Sequence, residues 1–157
     1  MDNFTFLYLA LMIALVLGVM FLLRSAQKGA LEELGTTLAR GDVDKYLAML
    51  ESRKLSLVLR KSTLALLRLE GHIRAGDTKA VAADEETLRA MRLKPGERLT
   101  CLQKCLCFYL AWGEEGRAKA CLGEMEKLLE KEPDEKLQSV LKTARQLVAQ
   151  GGGHEKA

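Results

Sequence analysis

Four cysteines, Cys101, Cys105, Cys107 and Cys121, are the residues best suited to bind a metal ion. Cys101 and Cys105 are one helical turn apart, so both thiolates could contact one ion. Cys107 would lie about 160° around that helix from Cys105, and Cys121 would bring the ligands to three at best. No second Cys or His pair has zinc-type spacing, so we expect no metal site and interpret these cysteines as small apolar core residues.

General acid–base chemistry has equally little support. His154 lies in the C-terminal tail, and His72 shares the polar side of its predicted helix with Lys61 and Arg68, which predicts a surface histidine. The neighbouring acids diverge by about 100° on a helix, which favours solvated faces over a catalytic pair. They are Glu32-Glu33, Asp84-Glu85-Glu86 and Glu114-Glu115. With no phosphate-binding loop and no nucleophile elbow, the sequence predicts no catalytic or cofactor-binding residues and no enzyme.

An uncharged run from Phe4 to Leu23 precedes all of these residues. Twenty helical residues at about 1.5 Å each span roughly 30 Å, the thickness of a bilayer hydrocarbon core. A cleaved secretory signal and a buried core helix are the alternatives. A cleaved signal would have a basic N-terminal region and a small-x-small cleavage site. The run follows Asp2 and is followed by Arg24 and Ser25, so we expect an uncleaved membrane anchor.

The charges around this run predict its orientation. No Lys or Arg precedes it, whereas Arg24 and Lys28 follow it closely, and positive flanks stay on the cytoplasmic side. We therefore expect a single-pass membrane protein with its N-terminus outside and its domain in the cytoplasm. A bacterial inner membrane is the expected setting. Disulfides are rare in that reducing compartment. Since no Lys/Arg block contains aromatic residues, nucleic-acid binding is not expected.

The remainder of the chain predicts an all-α fold, because Leu, Ala, Glu, Lys and Arg dominate and strand alternation is absent. Gly41-Asp42, Gly76-Asp77 and Gly113-Glu114 recur at spacings of 35 and 37 residues. A Gly followed by an acid ends one helix and begins the next, and such a period indicates stacked helical hairpins.

This pattern resembles the tetratricopeptide-repeat family, with degenerate motifs, from about Ala30 to Pro133. Tyr109 lies four residues before its turn glycine and Ala118 five after, while Pro95 and Pro133 close the second helices. The first repeat has no closing proline and carries Tyr46 where a small residue is usual. The resemblance implies an α-solenoid of about three hairpins with a C-terminal capping helix. The predicted domains are a membrane anchor with its basic flank at 1–28, a helical repeat domain at 29–150 and a disordered tail at 151–157.

Apolar spacing predicts how these helices pack. A helix from Leu57 to Arg74 would place Leu57, Leu64, Leu67 and Gly71 on a narrow face where another helix comes close. A helix from Glu97 to Trp112 is apolar nearly all round and should be packed on two sides. Each of the last two predicted helices is apolar on one side only. The first apolar face consists of Cys121, Leu122, Met125, Leu128 and Leu129, and the second of Leu137, Val140, Leu141, Ala144, Leu147 and Val148.

A membrane-anchored interaction module, an adaptor or scaffold for a protein or peptide partner, fits these expectations best. It contacts the bilayer through residues 4–23 and needs no catalytic residues. A structural subunit of a membrane complex and a targeting-sequence receptor are the alternatives, and homo-oligomerisation stays open. Exposed apolar or aromatic residues on the inner-helix surface would favour the adaptor over the structural subunit.

Overall fold

The chain is described by a computed structural model, which covers the backbone of residues 3–131 and 135–151. Side chains are described from residue 12 on, apart from 135–137, 139, 140, 147, 150 and 151. Eight helices and no strand occur within those ranges, which confirms the all-α prediction. They are α1 (Asn3–Ala39), α2 (Val43–Leu50), α3 (Arg53–Val58), α4 (Lys61–Ala75), α5 (Thr78–Ala90), α6 (Pro95–Ala111), α7 (Glu115–Lys131) and α8 (Glu135–Gly151).

The apolar N-terminal run lies in α1, a single helix of 37 residues. Its part from Met12 to Ala39 is long and apolar enough to cross a membrane, and the large apolar side chains between Met12 and Leu23 are exposed. Signal sequences near an N-terminus share this length and composition. The helix continues without a break through residues 28 and 29, where the sequence predicted a domain boundary.

The chain divides into two compact units, residues 1–64 and residues 65–157. In the N-terminal unit, α2 and α3 pack against α1. Its core side chains are almost completely buried: Leu34, Tyr46, Leu50, Leu55 and Leu59. Leu34 shows that α1 is also a core element of this unit, because its last turns carry the apolar face on which the shorter helices pack.

The predicted single helix from Leu57 to Arg74 is wrong. Helix α3 ends at Val58, and Leu59 adopts an extended backbone conformation (φ −105°, ψ 149°) before α4 begins at Lys61. The break lets Leu59 enter the core and leaves Leu57 81% exposed. Gly71 is buried in α4, as the close-packing interpretation requires, but Leu57 does not share its helix.

The three predicted glycine turns are confirmed. Gly41, Gly76 and Gly113 have φ values of 80°, 71° and 74°, the left-handed conformation that ends a helix. At each turn the glycine N–H and the following N–H donate to carbonyls of the last helical turn, as in a Schellman motif. Asp42 and Asp77 then accept hydrogen bonds from the first N–H groups of α2 and α5.

In the C-terminal unit, α6 packs against α5, α7 and α8. The expectation that this helix is buried on more than one side is confirmed by Cys101, Leu102, Cys105, Leu106, Phe108 and Tyr109. Pro95 begins α6, because its missing N–H costs nothing in a first turn, and α5 already ends at Ala90. The predicted role of Pro95 as a helix-closing residue is therefore wrong.

The last two helices follow their predicted faces. Cys121, Leu122, Met125 and Leu129 are buried in α7, and Leu141, Ala144 and Val148 are buried in α8. Gly151, the first residue of the predicted tail, is the last residue of α8. Several predicted features lie outside the described residues: the side chains of Leu137, Val140 and Leu147, the closing Pro133 with Asp134, and residues 152–157.

Candidate functional site

A carboxylate is buried in the middle of the C-terminal unit. Glu85, on α5, is only 5% exposed. Its Oε2 accepts a 2.6 Å hydrogen bond from the Tyr109 hydroxyl of α6, and its Oε1 accepts a 2.7 Å bond from Nη2 of Arg89. The Cys121 thiol of α7 lies 3.5 Å from the same Oε1. A buried charge needs such partners, so Glu85 joins three helices through polar contacts.

The network continues toward the surface through two arginines. Nη1 of Arg89 lies 2.5 Å from Oε1 of Glu124, so this guanidinium joins α5 to α7. The Arg117 guanidinium lies 5.6 Å from the centre of the Tyr109 ring and 3.4 Å from its hydroxyl oxygen. Burial and the bond to Glu85 raise the pKa of Tyr109, so its phenol stays protonated and donates at neutral pH.

A second buried pair joins α4 to α5. Nδ1 of His72 lies 2.6 Å from Oδ2 of Asp84, within hydrogen-bond distance. Both side chains are mostly buried. The prediction that His72 is a surface histidine is therefore wrong, and so is the prediction that Asp84 and Glu85 belong to a solvated face. Glu86, the third acid of that group, is exposed as predicted.

Three of the four cysteines are buried in this unit, and only Cys107 is exposed. Burial and the neighbouring Glu85 carboxylate raise the pKa of the Cys121 thiol to about 12. The hydrogen bond with Cys101, together with burial, raises the pKa of Cys105. Because the thiolate is the nucleophilic form, the environments of Cys105 and Cys121 suit packing rather than covalent chemistry. The same hydrogen bond with Cys105 lowers the pKa of Cys101. Within the part of the chain that the structure describes, no group of three or more His, Cys, Asp or Glu side chains is arranged to hold a metal.

The surface of the same unit has a groove of about 520 Å³ between α4 and α6. Its principal lining side chains are Glu70, Ile73, Lys104, Cys107, Phe108 and Trp112. Glu70 and Lys104 form an ion pair between the two helices. Burial lowers the pKa of Lys104. The groove therefore combines an apolar, aromatic section with one paired charge, a composition suited to binding another chain.

Trp112 is the distinctive side chain of this groove, because it is exposed and yet held in place. Its indole stacks on the Phe108 ring at 4.7 Å between centroids and 19° between planes. The turn at Gly76 supports it as well, since a Cβ on that glycine would lie 2.9 Å from Cζ2 of the indole. The side chain is nevertheless 52% exposed. Two supports thus hold a large aromatic surface open to solvent.

The sequence predicted a helix that ends at Trp112, whereas Trp112 lies just past the end of α6, as its C-cap. The Glu85 network was also missed. A charged triplet on a polar-looking helix carries no local signal of burial, because Tyr109 and Cys121, the partners of Glu85 on other helices, lie 24 and 36 residues further along the chain.

No family model matches the chain, and no curated protein or solved structure matches it either. Function is therefore inferred from the geometry of the C-terminal unit and from α1. The sequence predicts that the protein has no catalytic residues and no cofactor, and this stays a prediction.

Proposed function

We propose that this protein is a membrane-anchored protein–protein interaction module. The apolar part of α1 holds it in the bilayer, and the α4–α6 groove of the C-terminal unit binds a segment of a partner protein. The single observation that carries the proposal is the exposed, doubly supported Trp112. Tryptophan is enriched among the residues that dominate binding energy, especially where a neighbouring surface already holds it in position.

The groove favours a partner segment with an apolar or aromatic side chain. Such a side chain would cover the Trp112 indole and the apolar lining beside Ile73, removing both from water. The Glu70–Lys104 pair would remain at the polar margin, where charges contribute to orientation more than to affinity. An amphipathic helix or a short extended segment fits this description.

A tetratricopeptide-like solenoid is the fold proposed for these hairpins. Its support is the same glycine turn repeated at Gly41, Gly76 and Gly113, with helices α4–α5 and α6–α7 joined by the latter two. In that arrangement α4 and α6 are the first helices of successive hairpins, and the groove lies on the surface that they form. An aromatic side chain exposed there favours an adaptor over a structural subunit.

The membrane part of the proposal is supported by the length of α1, its exposed apolar surface and the basic residues after it. Arg24 and Lys28 are both exposed, which favours a cytoplasmic C-terminal side. The setting that we propose is a bacterial inner membrane. A targeting-sequence receptor would share this layout, with a targeting segment as the groove ligand.

Site-specific photo-crosslinking in native membranes tests the groove. A photoreactive benzoylphenylalanine replaces Gln103, an exposed residue that lines the groove, or Glu86, an exposed residue of α5 outside it. We expect irradiation to give discrete adducts from position 103 and none of the same mass from position 86. Adding Trp112→Ala should remove most of the adduct, because truncating a central aromatic residue typically costs about 2 kcal/mol or more in binding.

Two outcomes would contradict the adaptor proposal. Identical adducts from both positions would mean that the groove is not the contact. An adduct with the mass of two copies of this chain would favour the structural alternative, in which the protein assembles with itself.

A further inference from the structure

Helix α3 is tied to α1 close to the end of the apolar run. The side-chain amide of Gln27 donates a 2.7 Å hydrogen bond to the backbone carbonyl of Val58, the last residue of α3. Leu55 and Leu59, on either side of that residue, are buried in the core of the N-terminal unit with Leu34 of α1. The carboxyl end of α3 is therefore held at the level of Gln27 along α1.

That level corresponds to the headgroup layer of a bilayer. Gln27 is four residues past Leu23, where the apolar run ends, which is about 6 Å along a helix axis. The polar layer on each side of the hydrocarbon core is about 5–8 Å thick. With the apolar run spanning the core, Val58 and its neighbours lie within the layer of phosphate groups.

An exposed leucine stands at this position. Leu57 is 81% exposed, the highest exposure among the large apolar side chains that the structure describes. In water an exposed leucine contributes no burial of apolar surface. At a membrane surface the same side chain can enter the boundary between headgroups and acyl chains. The cap residue Leu59 turns inward, so Leu57 is the apolar side chain left on the outside of this end of α3.

Exposed basic side chains are close to Leu57 in the chain or close to Gln27 on α1. They are Arg24, Lys28, Arg60 and Lys61. Exposed acids are also present on this side, since Glu32 lies 3.9 Å from Lys28 and Glu33 follows it. At the far end of α1, about 18 Å from Gln27 at 1.5 Å per helical residue, the exposed acids Asp42 and Asp44 are offset by the exposed Arg40 and Lys45. The four basic side chains therefore leave an excess of positive charge at the Gln27 end of α1, where anionic phosphates would be.

We infer that the carboxyl end of α3 and the facing turn of α1 form an interfacial binding site for anionic lipid headgroups. Leu57 inserts into the upper acyl region, and the four basic side chains contact phosphate groups around it. The site rests on the proposed membrane anchor, because α1 sets its depth. It fixes the N-terminal unit against the membrane surface by a second contact besides the span.

Depth-dependent quenching with the full-length protein tests this site. Leu57→Cys, in a Cys107→Ser background that removes the exposed native thiol, is labelled with a fluorophore and reconstituted into vesicles. The vesicles are phosphatidylcholine alone or phosphatidylcholine with phosphatidylglycerol, each with a nitroxide quencher in the upper acyl chain. Asp44→Cys in the same background is the matched control, because it carries the label at the other end of the unit.

Quenching at position 57 should exceed that at position 44 several-fold in the anionic vesicles and fall in the neutral ones. Replacing both Arg60 and Lys61 with Gln, or raising the salt concentration, should remove most of the anionic-lipid dependence. Equal quenching at positions 57 and 44, or equal quenching at 57 in both kinds of vesicle, would overturn the inference. Flotation of the same samples separates the two proposals. Protein that floats without quenching at 57 keeps its anchor and lacks the headgroup site, whereas protein that fails to float has lost the anchor itself.

Discussion

The Tyr109 hydroxyl donates a 2.6 Å hydrogen bond to the Glu85 carboxylate, joining residues that are 24 positions apart in the chain. The bond fixes α6, which carries Phe108 and leads directly into Trp112, against α5, which does not line the groove. Glu85 also bonds to Arg89 of its own helix and contacts Cys121 of α7. Removal of this one carboxylate should therefore loosen the support of the groove.

Glu85→Ala should destabilise the C-terminal unit by about 2–3 kcal/mol, because hydrogen bonds to a buried charged group contribute roughly 1.5–3 kcal/mol. Arg89 keeps its contact with Glu124, which limits the loss. The single tryptophan, Trp112, reports unfolding in urea titrations of the full-length protein in mild detergent. Glu86→Ala is the matched control on the same helix, and its effect should stay within about 0.5 kcal/mol. If Glu85→Ala and Glu86→Ala lowered the free energy of unfolding equally, the Glu85 network would make no specific contribution to stability.

Gly76→Ala should cost more than Gly113→Ala, although both glycines have a positive φ. The left-handed conformation alone costs an alanine about 1–2 kcal/mol, and that cost applies to both positions. Only at Gly76 does the added methyl group meet the Trp112 indole, at 2.9 Å, so overpacking should add about 1 kcal/mol or more. The emission maximum of Trp112 should shift in Gly76→Ala and stay unchanged in Gly113→Ala. An unchanged spectrum in both variants would mean that the turn does not support the indole.

Stability should fall at alkaline pH because of Cys121. Its pKa is raised to about 12 in the folded protein, whereas an unfolded cysteine ionises near 8.5. The stabilising contribution is thus fully present below pH 8.5 and is lost as the pH rises from there toward about 12. One such group contributes a slope of at most about 1.4 kcal/mol per pH unit. Urea titrations between pH 8 and 10.5 should show a shallower decline in Cys121→Ala than in the native chain. Parallel declines would contradict the assignment.

The parts of the fold that depend on local residues were predictable. A glycine followed by an acid needs no distant partner to end one helix and begin another, so the turns at Gly41, Gly76 and Gly113 were located from their spacing alone. The apolar faces of α7 and α6 were predicted for the same reason, because a helical period of apolar residues identifies a buried face wherever the neighbouring helix lies.

The break between α3 and α4 and the buried acids depend on tertiary partners instead. The residues at the break, Leu59 and Arg60, include neither glycine nor proline, so no local signal marks it. Leu59 is buried in the core of the N-terminal unit. Asp84 and Glu85 look like solvated residues until His72, Tyr109 and Cys121 are brought around them. The groove also depends on tertiary packing, because it forms only when α4 and α6 lie side by side and Trp112 lies beyond the end of α6.

The state of α1 in cells tests the central proposal most directly, because a cleaved signal would leave no membrane anchor. The measurement is the intact mass of the protein, expressed with a C-terminal affinity tag and recovered from membranes after an alkaline carbonate wash. We expect a protein in the membrane pellet whose mass includes residues 1–23. Recovery from the soluble fraction of a tagged protein that lacks those residues would contradict the membrane-anchored module.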